Sequence, residues 1–480
     1  MPSFTVEHVL RVTGGTLLMS GSPTRRLRSI ATDSRRCRPG GCFIALRGER
    51  LDGHRFVLDA CRRGVQGVVI DQSAGVRVIQ ALRRWQRTEG NPIVPAVIGV
   101  KDSLRAFQDL AAFHRAQWGR PLVAITGSNG KTTTKDMTAS VLGQRWRVLK
   151  TVDNHNNRIG VPQTVFRLAS HHQVAVVEMG VDQTGQTTRL CEIAQPTSGV
   201  VTNIGPDHLE FFGSLERSAE AKAELLAMLP SSGFVALNAD DPFYERLKKQ
   251  ACCRVLSFGL TPSAEIRADR LSLDRHGMRF RLHVPSSQRG RWVTLAVGGR
   301  HNAGNALAAA AVGYAMGLSV AEIVEGLTRF KPAAMRSQIL QINGVTVLYD
   351  CYNANPASMK AALNLLADLG EGRRTIAVLG EMRELGAEER RFHREIGEYV
   401  ASKSVSHLVA CGPMGMEYRR GARKAGLPLH AIHLATDLAE AAASVRALMR
   451  PGDVLLLKGS RSARMEQVLD LIGYRSASDR

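Results

Sequence analysis

The chain has 480 residues, of which 44% are hydrophobic and 22% charged, ordinary values for a globular protein that exclude a disordered or fibrous chain. At roughly 150 residues per domain this length predicts about three domains. The formal charge of +21 favours anionic partners such as nucleotides, acidic substrates or nucleic acid, although an Arg-rich proteome produces the same excess, and 5% aromatics is thin for stacking on bases.

The eight cysteines form no CxxC pair and no Cys/His group with zinc spacing, so they are expected to be buried, reduced thiols. The N-terminus lacks the basic start and apolar core of a signal peptide. The uncharged run Asn302 to Ala321 is rich in Ala and Gly and suits a closely packed soluble helix better than a membrane span. The expected setting is cytoplasmic, with no membrane insertion.

Three zones follow in chain order. Up to about residue 104, apolar runs at Cys42 to Leu46, Val65 to Ile70 and Ala96 to Val100 alternate with a helical stretch near Phe56 to Arg63, predicting a small α/β domain. Asp71 to Pro95 is weakly patterned and Arg-bearing, and reads as an insertion or loop. In the second zone Leu122 to Thr126 is a short buried strand, followed by a Gly-rich turn and a helix from Lys131. Further strands are expected at Val174 to Val177, Gly199 to Thr202 and Phe234 to Leu237, in a mostly parallel sheet. Ile266 to Val284 alternates around Asp274-Arg275-His276-Gly277, predicting a hairpin at the sheet's edge. From Pro332 onward, strands at Val345 to Tyr349, Thr375 to Leu379, His407 to Ala410 and Val454 to Leu457 alternate with helices, one of them opened by Asn355-Pro356. Such alternation implies a doubly wound sheet whose ligands lie beyond the strands' carboxyl ends, where Asp350, Glu381, Gly412 and Lys458 fall.

The sharpest motif is Thr126-Gly127-Ser128-Asn129-Gly130-Lys131-Thr132-Thr133 between strand and helix. Its glycines let backbone N-H groups turn toward phosphate oxygens, and the helix N-terminus adds positive potential. Lys131 suits the β- and γ-phosphates and Thr132 a Mg²⁺ ion, so ATP is the expected ligand. The loop is two residues shorter than the general P-loop pattern, with Ile125 where that pattern has its first Gly.

Glu178 ends a strand of the same zone and His208 follows another. A carboxylate at a strand end near a P-loop suits Mg²⁺; taken alone, Glu178 also reads as a surface residue and His208 as a satisfied loop histidine, but both share a sheet edge with Lys131. Lys222 lies in an amphipathic Glu/Lys helix, and Asn302 and Asn305 open an Ala-rich helix where they could equally be caps. Tyr349 to Pro356 and Lys458-Gly459-Ser460-Arg461 both follow strands, pointing to a binding face or to turn chemistry.

Together these segments resemble the Mur ligases, and among them the branch that adds D-alanyl-D-alanine. The resemblance runs nearly end to end: Asp33-Ser34-Arg35, Leu51-Asp52-Gly53-His54, the short P-loop, Asn156 to Pro162, the Glu178 and His208 segments, and Gly299-Arg300-His301-Asn302. Asp350 to Pro356, Leu379-Gly380-Glu381-Met382 and Lys458 to Arg461 carry the likeness to that branch. It implies an α/β fold of three domains: a UDP-substrate domain at 1–104, a central ATPase domain at 105–332 and a C-terminal Rossmann-like domain at 333–480.

The implied reaction joins D-Ala-D-Ala to UDP-N-acetylmuramoyl-tripeptide with ATP, through an acyl phosphate, in peptidoglycan synthesis. The resemblance assigns Thr126 to Thr133 to ATP, with Asn302 at adenine, Arg336 at the phosphates and Asp350 at ribose. Two Mg²⁺ ions fall to Thr132, Glu178, His208 and Lys222, the last as a CO₂-derived carbamate; Lys131, Glu178, His208 and Lys222 are the expected catalytic set. Ser34 and Arg35 fit the UDP end, Asn156 and Asn157 the muramyl peptide, and Asn353, Asn355, Ser358 and Lys458 the dipeptide. His393 lies in a family-like segment without a physical role readable from sequence. A monomer without nucleic-acid partners is expected.

Rival readings are another ligase of the superfamily (meso-diaminopimelate-adding or folylpolyglutamate-forming), a basic P-loop protein acting on nucleic acid, and a catalytically silent relative. The third residue of the peptide, meso-diaminopimelate or lysine, is not legible.

Overall fold

The computed structural model describes residues 4–19, 24–49, 51–89, 95–274, 276–285, 287 and 289–473. It divides into two compact units, one comprising Met1–Ala124, Arg147–Met179 and Thr188–Thr197, the other Ile125–Trp146, Gly180–Thr187 and Ser198–Arg480.

The first unit holds a five-stranded sheet in the order Thr16–Met19, Ala96–Val100, Gly67–Asp71, Cys42–Ile44, Ile30–Ala31. The last four are parallel and the first antiparallel. The Arg-bearing stretch after Asp71, expected as a loop, contains the helix Gly75–Glu89. Its apolar side chains Val78, Leu82 and Trp85 are buried at helical spacing, a stripe that the intervening arginines mask in sequence. Residues 90–94 of that stretch lie outside the described residues. In the same unit Val148–Lys150 pairs in parallel with Val174–Glu178.

The second unit carries strands of two separate sheets. Ser198–Val201, Phe234–Asn238, Arg254–Gly259 and Ile266–Asp274 lie side by side in that order, each parallel to the next. The expected hairpin forms from Ile266–Asp274 and Gly277–His283, with Arg275 outside the described residues. It is not the sheet's edge, because Arg291–Leu295 adds a further antiparallel strand outside it. The uncharged run folds as the helix Arg300–Ala315, buried at nearly every position from Asn302 to Gly313, as its small side chains allow. It stops before Gly317, and a second helix, Val320–Thr328, starts from a Ser319/Glu322 capping box. No helix among the described residues is long and apolar enough to cross a membrane.

The C-terminal sheet runs Gln338–Ile342, Val345–Asp350, Val454–Lys458, Thr375–Leu379, His407–Cys411, Ile432–Ala435, with only the first strand antiparallel. Its central strands are buried along their whole length and packed on both faces, as a parallel sheet requires. Asp350 and Lys458 are the last residues of neighbouring strands, and Glu381 lies just beyond a third.

All eight cysteines are free, and six are buried. Cys252 is exposed and Cys253 partly so, contrary to expectation, because both sit in the bend between the helix Tyr244–Gln250 and the strand Arg254–Gly259.

Candidate active site

The strand Leu122–Thr126 feeds the loop Gly127–Gly130, and the helix Lys131–Leu142 follows. Two backbone positions make this turn possible. Gly127 has φ +135°, and a methyl group there would stand 2.0 Å from Thr202 Oγ1; Gly130 caps the helix at φ +80°, 2.2 Å from Asn305 Oδ1 by the same measure. Asn203 holds the loop from below, its carbonyl accepting from Ser128 N at 2.9 Å and its Oδ1 from Asn129 N at 3.0 Å. The Lys131 ammonium folds back onto the carbonyls of Gly127 and Ser128, at 2.5 and 3.0 Å. The cation is thereby stored over the loop that a phosphate would enter. Thr132 is buried in the first turn of the helix and Thr133 half-buried.

Beside the loop is a group that sequence reasoning passed over. Asp207 is buried, and its Oδ1 accepts from Ser128 Oγ at 2.7 Å, Lys222 Nζ at 3.0 Å and Ser218 Oγ at 3.1 Å. Burial works to raise its pKa, but Lys222 and Lys131 outweigh that and hold it below the usual carboxylate value. Lys222 is fully buried, and desolvation pushes its ammonium down to about 8 against the opposing pull of Asp207. In sequence Asp207 is only an acidic residue directly before His208, with no local pattern to single it out. His208 itself has φ +50°, and its Nδ1 lies 2.5 Å from Glu384 Oε2. Of the expected set, Lys222, Lys131 and His208 all act electrostatically on Asp207, and His208 is also engaged by Glu384.

Asn302 and Asn305 interlock at the start of their helix. Asn302 Nδ2 donates to Gly298 O at 2.8 Å, Asn305 Nδ2 to Asn302 Oδ1 at 3.1 Å, and Thr134 Oγ1 to Asn305 Oδ1 at 3.2 Å. Nearby, Asp350 accepts from Lys458 Nζ at 2.6 Å and from Ser337 N at 3.0 Å. Burial opposes ionisation of Asp350, yet Lys458 keeps its pKa lowered. Lys458 also donates to Asn353 O at 3.0 Å and is itself buried. The Arg336 guanidinium stacks 3.8 Å from the centre of the Tyr352 ring.

Asn355 and Ser358 form a capping box on the helix Pro356–Leu369, and Asn355 Nδ2 donates to Asn129 Oδ1 of the phosphate loop at 2.8 Å. Asn353 Oδ1 accepts from Ala354 N. The four residues expected at the dipeptide are therefore engaged in the backbone and side-chain framework around the site.

His393 acquires a role. It is fully buried, its Nε2 accepts from Met382 N at 3.0 Å and its Nδ1 donates to Glu389 O at 2.6 Å, which sets the tautomer. It pins the Gly380-Glu381-Met382 loop at the carboxyl end of a central strand.

In the first unit, Asn156 Nδ2 donates to Glu178 Oε1 at 2.9 Å, and Asn157 Oδ1 accepts from Ile159 N and Gly160 N just ahead of the helix Gly160–Val165. Ser34 is buried in the short turn capped by Asp33, and Arg35 is exposed and paired with Asp33. His54 is buried with Nδ1 2.6 Å from Asp52 Oδ1, and its Nε2 accepts from Asp71 N.

Comparison with known proteins follows the same lines. Three family models match in succession: Mur ligase family, catalytic domain at residues 26–115; Mur ligase middle domain at 125–313; and Mur ligase, glutamate ligase domain at 335–461. The chain is 33% identical over 471 residues to the UDP-N-acetylmuramoyl-tripeptide–D-alanyl-D-alanine ligase of Bacillus subtilis, covering 98% of both chains. Among solved structures, MurF from Acinetobacter baumannii superposes with a TM-score of 0.87 at 30% identity, covering 99% of this chain and 100% of that one. MurF ligase from Thermotoga maritima in complex with ADP gives 0.80 at 25% identity, covering 92% and 96%. With relatedness at this level along its whole length, the chain belongs to the Mur ligase family.

Proposed function

We propose that this chain is an ATP-dependent ligase that joins D-alanyl-D-alanine to UDP-N-acetylmuramoyl-tripeptide, the step that completes the pentapeptide precursor of peptidoglycan. The observation that carries the reading is end-to-end likeness to a ligase of that specificity, together with an intact phosphate loop and its lysine. The three expected domains, 1–104, 105–332 and 333–480, are proposed to divide the work among UDP substrate, ATP and acceptor.

Chemically, the peptide carboxylate attacks the γ-phosphate, and the dipeptide amine then displaces phosphate from the acyl phosphate. The chain's part is to neutralise phosphate charge, align the partners and exclude water. Lys131 would exchange its two loop carbonyls for phosphate oxygens, and the loop amides and helix N-terminus would add to that field. Asn302, Arg336 and Asp350 are proposed on the nucleotide side, Ser34, Arg35, Asn156 and Asn157 on the UDP-peptide side, and Asn353, Asn355, Ser358 and Lys458 around the dipeptide. The last group acts by holding loops in shape as much as by direct contact, given its internal bonds.

Mg²⁺ fits the donor set. At the phosphate loop the buried Thr132 hydroxyl and the Asp207 carboxylate offer hard oxygens, suited to an ion held largely by phosphates and water. Glu178, His208 and a carbamylated Lys222 are proposed as further ligands on the resemblance alone. When bound, the ion supplies charge neutralisation on the transferring phosphoryl group. Burial lowers the Lys222 pKa to about 8, which favours the neutral amine, the form that adds CO₂. A carbamate beside Asp207 would require a neighbouring cation, so carbamylation is proposed to accompany metal binding. A cytoplasmic monomer is the proposed working form.

The test is ADP release with ATP, Mg²⁺ and UDP-N-acetylmuramoyl-tripeptide, offering D-Ala-D-Ala or free amino acids. Turnover with the dipeptide alone, abolished in Lys131→Ala, is expected. Turnover with a single amino acid would assign the chain to a sibling ligase.

A further inference from the structure

Resting on the ligase reading above, we infer that Gln108 is a positioning residue for UDP-N-acetylmuramoyl-tripeptide. Its amide holds the loop at 156–158 in the shape that receives the peptide end of that substrate, and Arg189 holds the amide in turn.

Both ends of a buried amide are used. Gln108, on the helix Ser103–Trp118, is only 5% exposed. Its Nε2 donates to Arg158 O at 3.0 Å, and its Oε1 accepts from Arg189 Nε at 2.8 Å. A guanidinium only donates and a carbonyl only accepts, so these two partners fix which way the amide faces. Arg189, on the helix Gln186–Ala194, is fixed as well: its other two nitrogens each lie 2.7 Å from a carboxylate oxygen, one of Asp109 and one of Glu192. Asp109 follows Gln108 directly and also pairs with Arg105.

The loop needs support of this kind. Asn157 and Arg158 are exposed, and Ile159, at the cap position of the helix Gly160–Val165, offers that helix no side-chain bond. The chain doubles back so tightly that a methyl group on Gly160 would stand 2.3 Å from the His155 carbonyl carbon. Asn156 tethers one end of the loop to Glu178, and Gln108 tethers the other through the Arg158 carbonyl. A carbonyl that water would otherwise solvate is thus captured by an amide that an ion-paired arginine keeps in place. The loop is shaped before substrate arrives, which lowers the ordering cost of binding. Because the tether acts on the loop that carries Asn156 and Asn157, its loss belongs in the KM for the UDP-peptide rather than in the KM for ATP.

The test measures kcat and each KM on the full chain with UDP-N-acetylmuramoyl-tripeptide, ATP and D-Ala-D-Ala. In Gln108→Glu the carboxylate still accepts from Arg189, but an oxygen replaces the donor that faced Arg158 O. The KM for the UDP-peptide should rise about fivefold or more, with kcat and the KM for ATP within about twofold of wild type. Gln108→Leu loses both bonds and adds no charge, and should raise the same KM. Arg189→Lys keeps a cation beside Asp109 and Glu192 but loses the Nε bond, so a smaller rise of about twofold is expected. A role in helix packing alone would spare Gln108→Glu, so an unchanged KM for the UDP-peptide in that variant would overturn the inference. A rise confined to Gln108→Glu, which charge alone explains, or an equal rise in the KM for ATP, would overturn it too. If neither Gln108 variant folds, Arg189→Lys decides, and an unchanged KM there is the refuting result. Wild-type protein without turnover on the UDP-peptide would instead remove the ligase reading, and this inference with it.

Discussion

Replacing His393 by Phe isolates what the imidazole's two hydrogen bonds do, since ring volume and the edge contact with Tyr418, 4.9 Å between centroids, are largely kept. The change leaves the Met382 N-H without its acceptor in a buried setting. An orphaned buried donor costs about 1–3 kcal/mol, so local opening of the Gly380–Met382 loop should become about 30-fold more frequent at the middle of that range. Hydrogen exchange of the Met382 amide reads this directly, without assuming that so large a chain unfolds in two states. Acid should reproduce the effect in wild type. Burial pushes the His393 pKa below its ordinary value, only partly offset by the bond to Glu389 O, so the folded chain resists a proton that the unfolded chain accepts. The stabilisation is therefore present above the unfolded value of about 6.5 and declines as pH falls below it. Protonated Nε2 can no longer accept from Met382. Met382 protection unchanged in His393→Phe, or independent of pH between 7 and 5, would refute the argument. Loss of turnover alone would not support it, because the loop borders the proposed acceptor side.

Gly130→Ala forces a side chain into φ +80° and against Asn305 Oδ1, so either the loop or the Asn305–Thr134 bond must give way. Calorimetry should find nucleotide affinity down by about tenfold or more, with the fold retained; an affinity within twofold would be contrary. Asn355→Ala removes a capping box and the bond to Asn129, and should lower stability by about 1 kcal/mol in denaturant titration, whereas Asn355→Asp should recover the cap but not the amide donor to Asn129. Burial, with Lys458 adding to it and Asp350 opposing, holds His301 down to about 4. Stability from this group is complete above about 6.5 and lost toward 4, about 2 kcal/mol of it by pH 5. His301→Phe should flatten that part of the pH–stability curve, and an unaltered curve would show that His301 does not contribute.

What sequence can and cannot reveal here divides along a physical line. The phosphate loop was legible because backbone curvature demands glycine at fixed places, and Gly127 and Gly130 indeed take positive φ between a buried strand and a helix. The helix at Pro356 was legible because Asn355 and Pro356 are local signals that need no tertiary partner. Asp207 was not, since its importance comes from Lys222, fifteen positions on, and from Ser128, seventy-nine positions back, and no local pattern announces such a meeting. His393 was invisible for the same reason: its value lies in one acceptor aimed at Met382 N. The helix Gly75–Glu89 was missed differently, because three buried apolar side chains among many arginines are a weak stripe until the sheet they cover is known. Asn355, Ser358 and Lys458, expected at the dipeptide, make a converse point. Motif residues can be shared by relatives because they hold the shape of the site, and the bonds they make here are with the framework of the chain itself. A side chain's place in a motif thus identifies where the chemistry is, while its bonding partners decide whether it contacts the ligand or builds the wall. On that criterion Asp207, whose Oδ1 joins Ser128 of the phosphate loop to Lys222, is the residue whose substitution says most about how the two act as a unit.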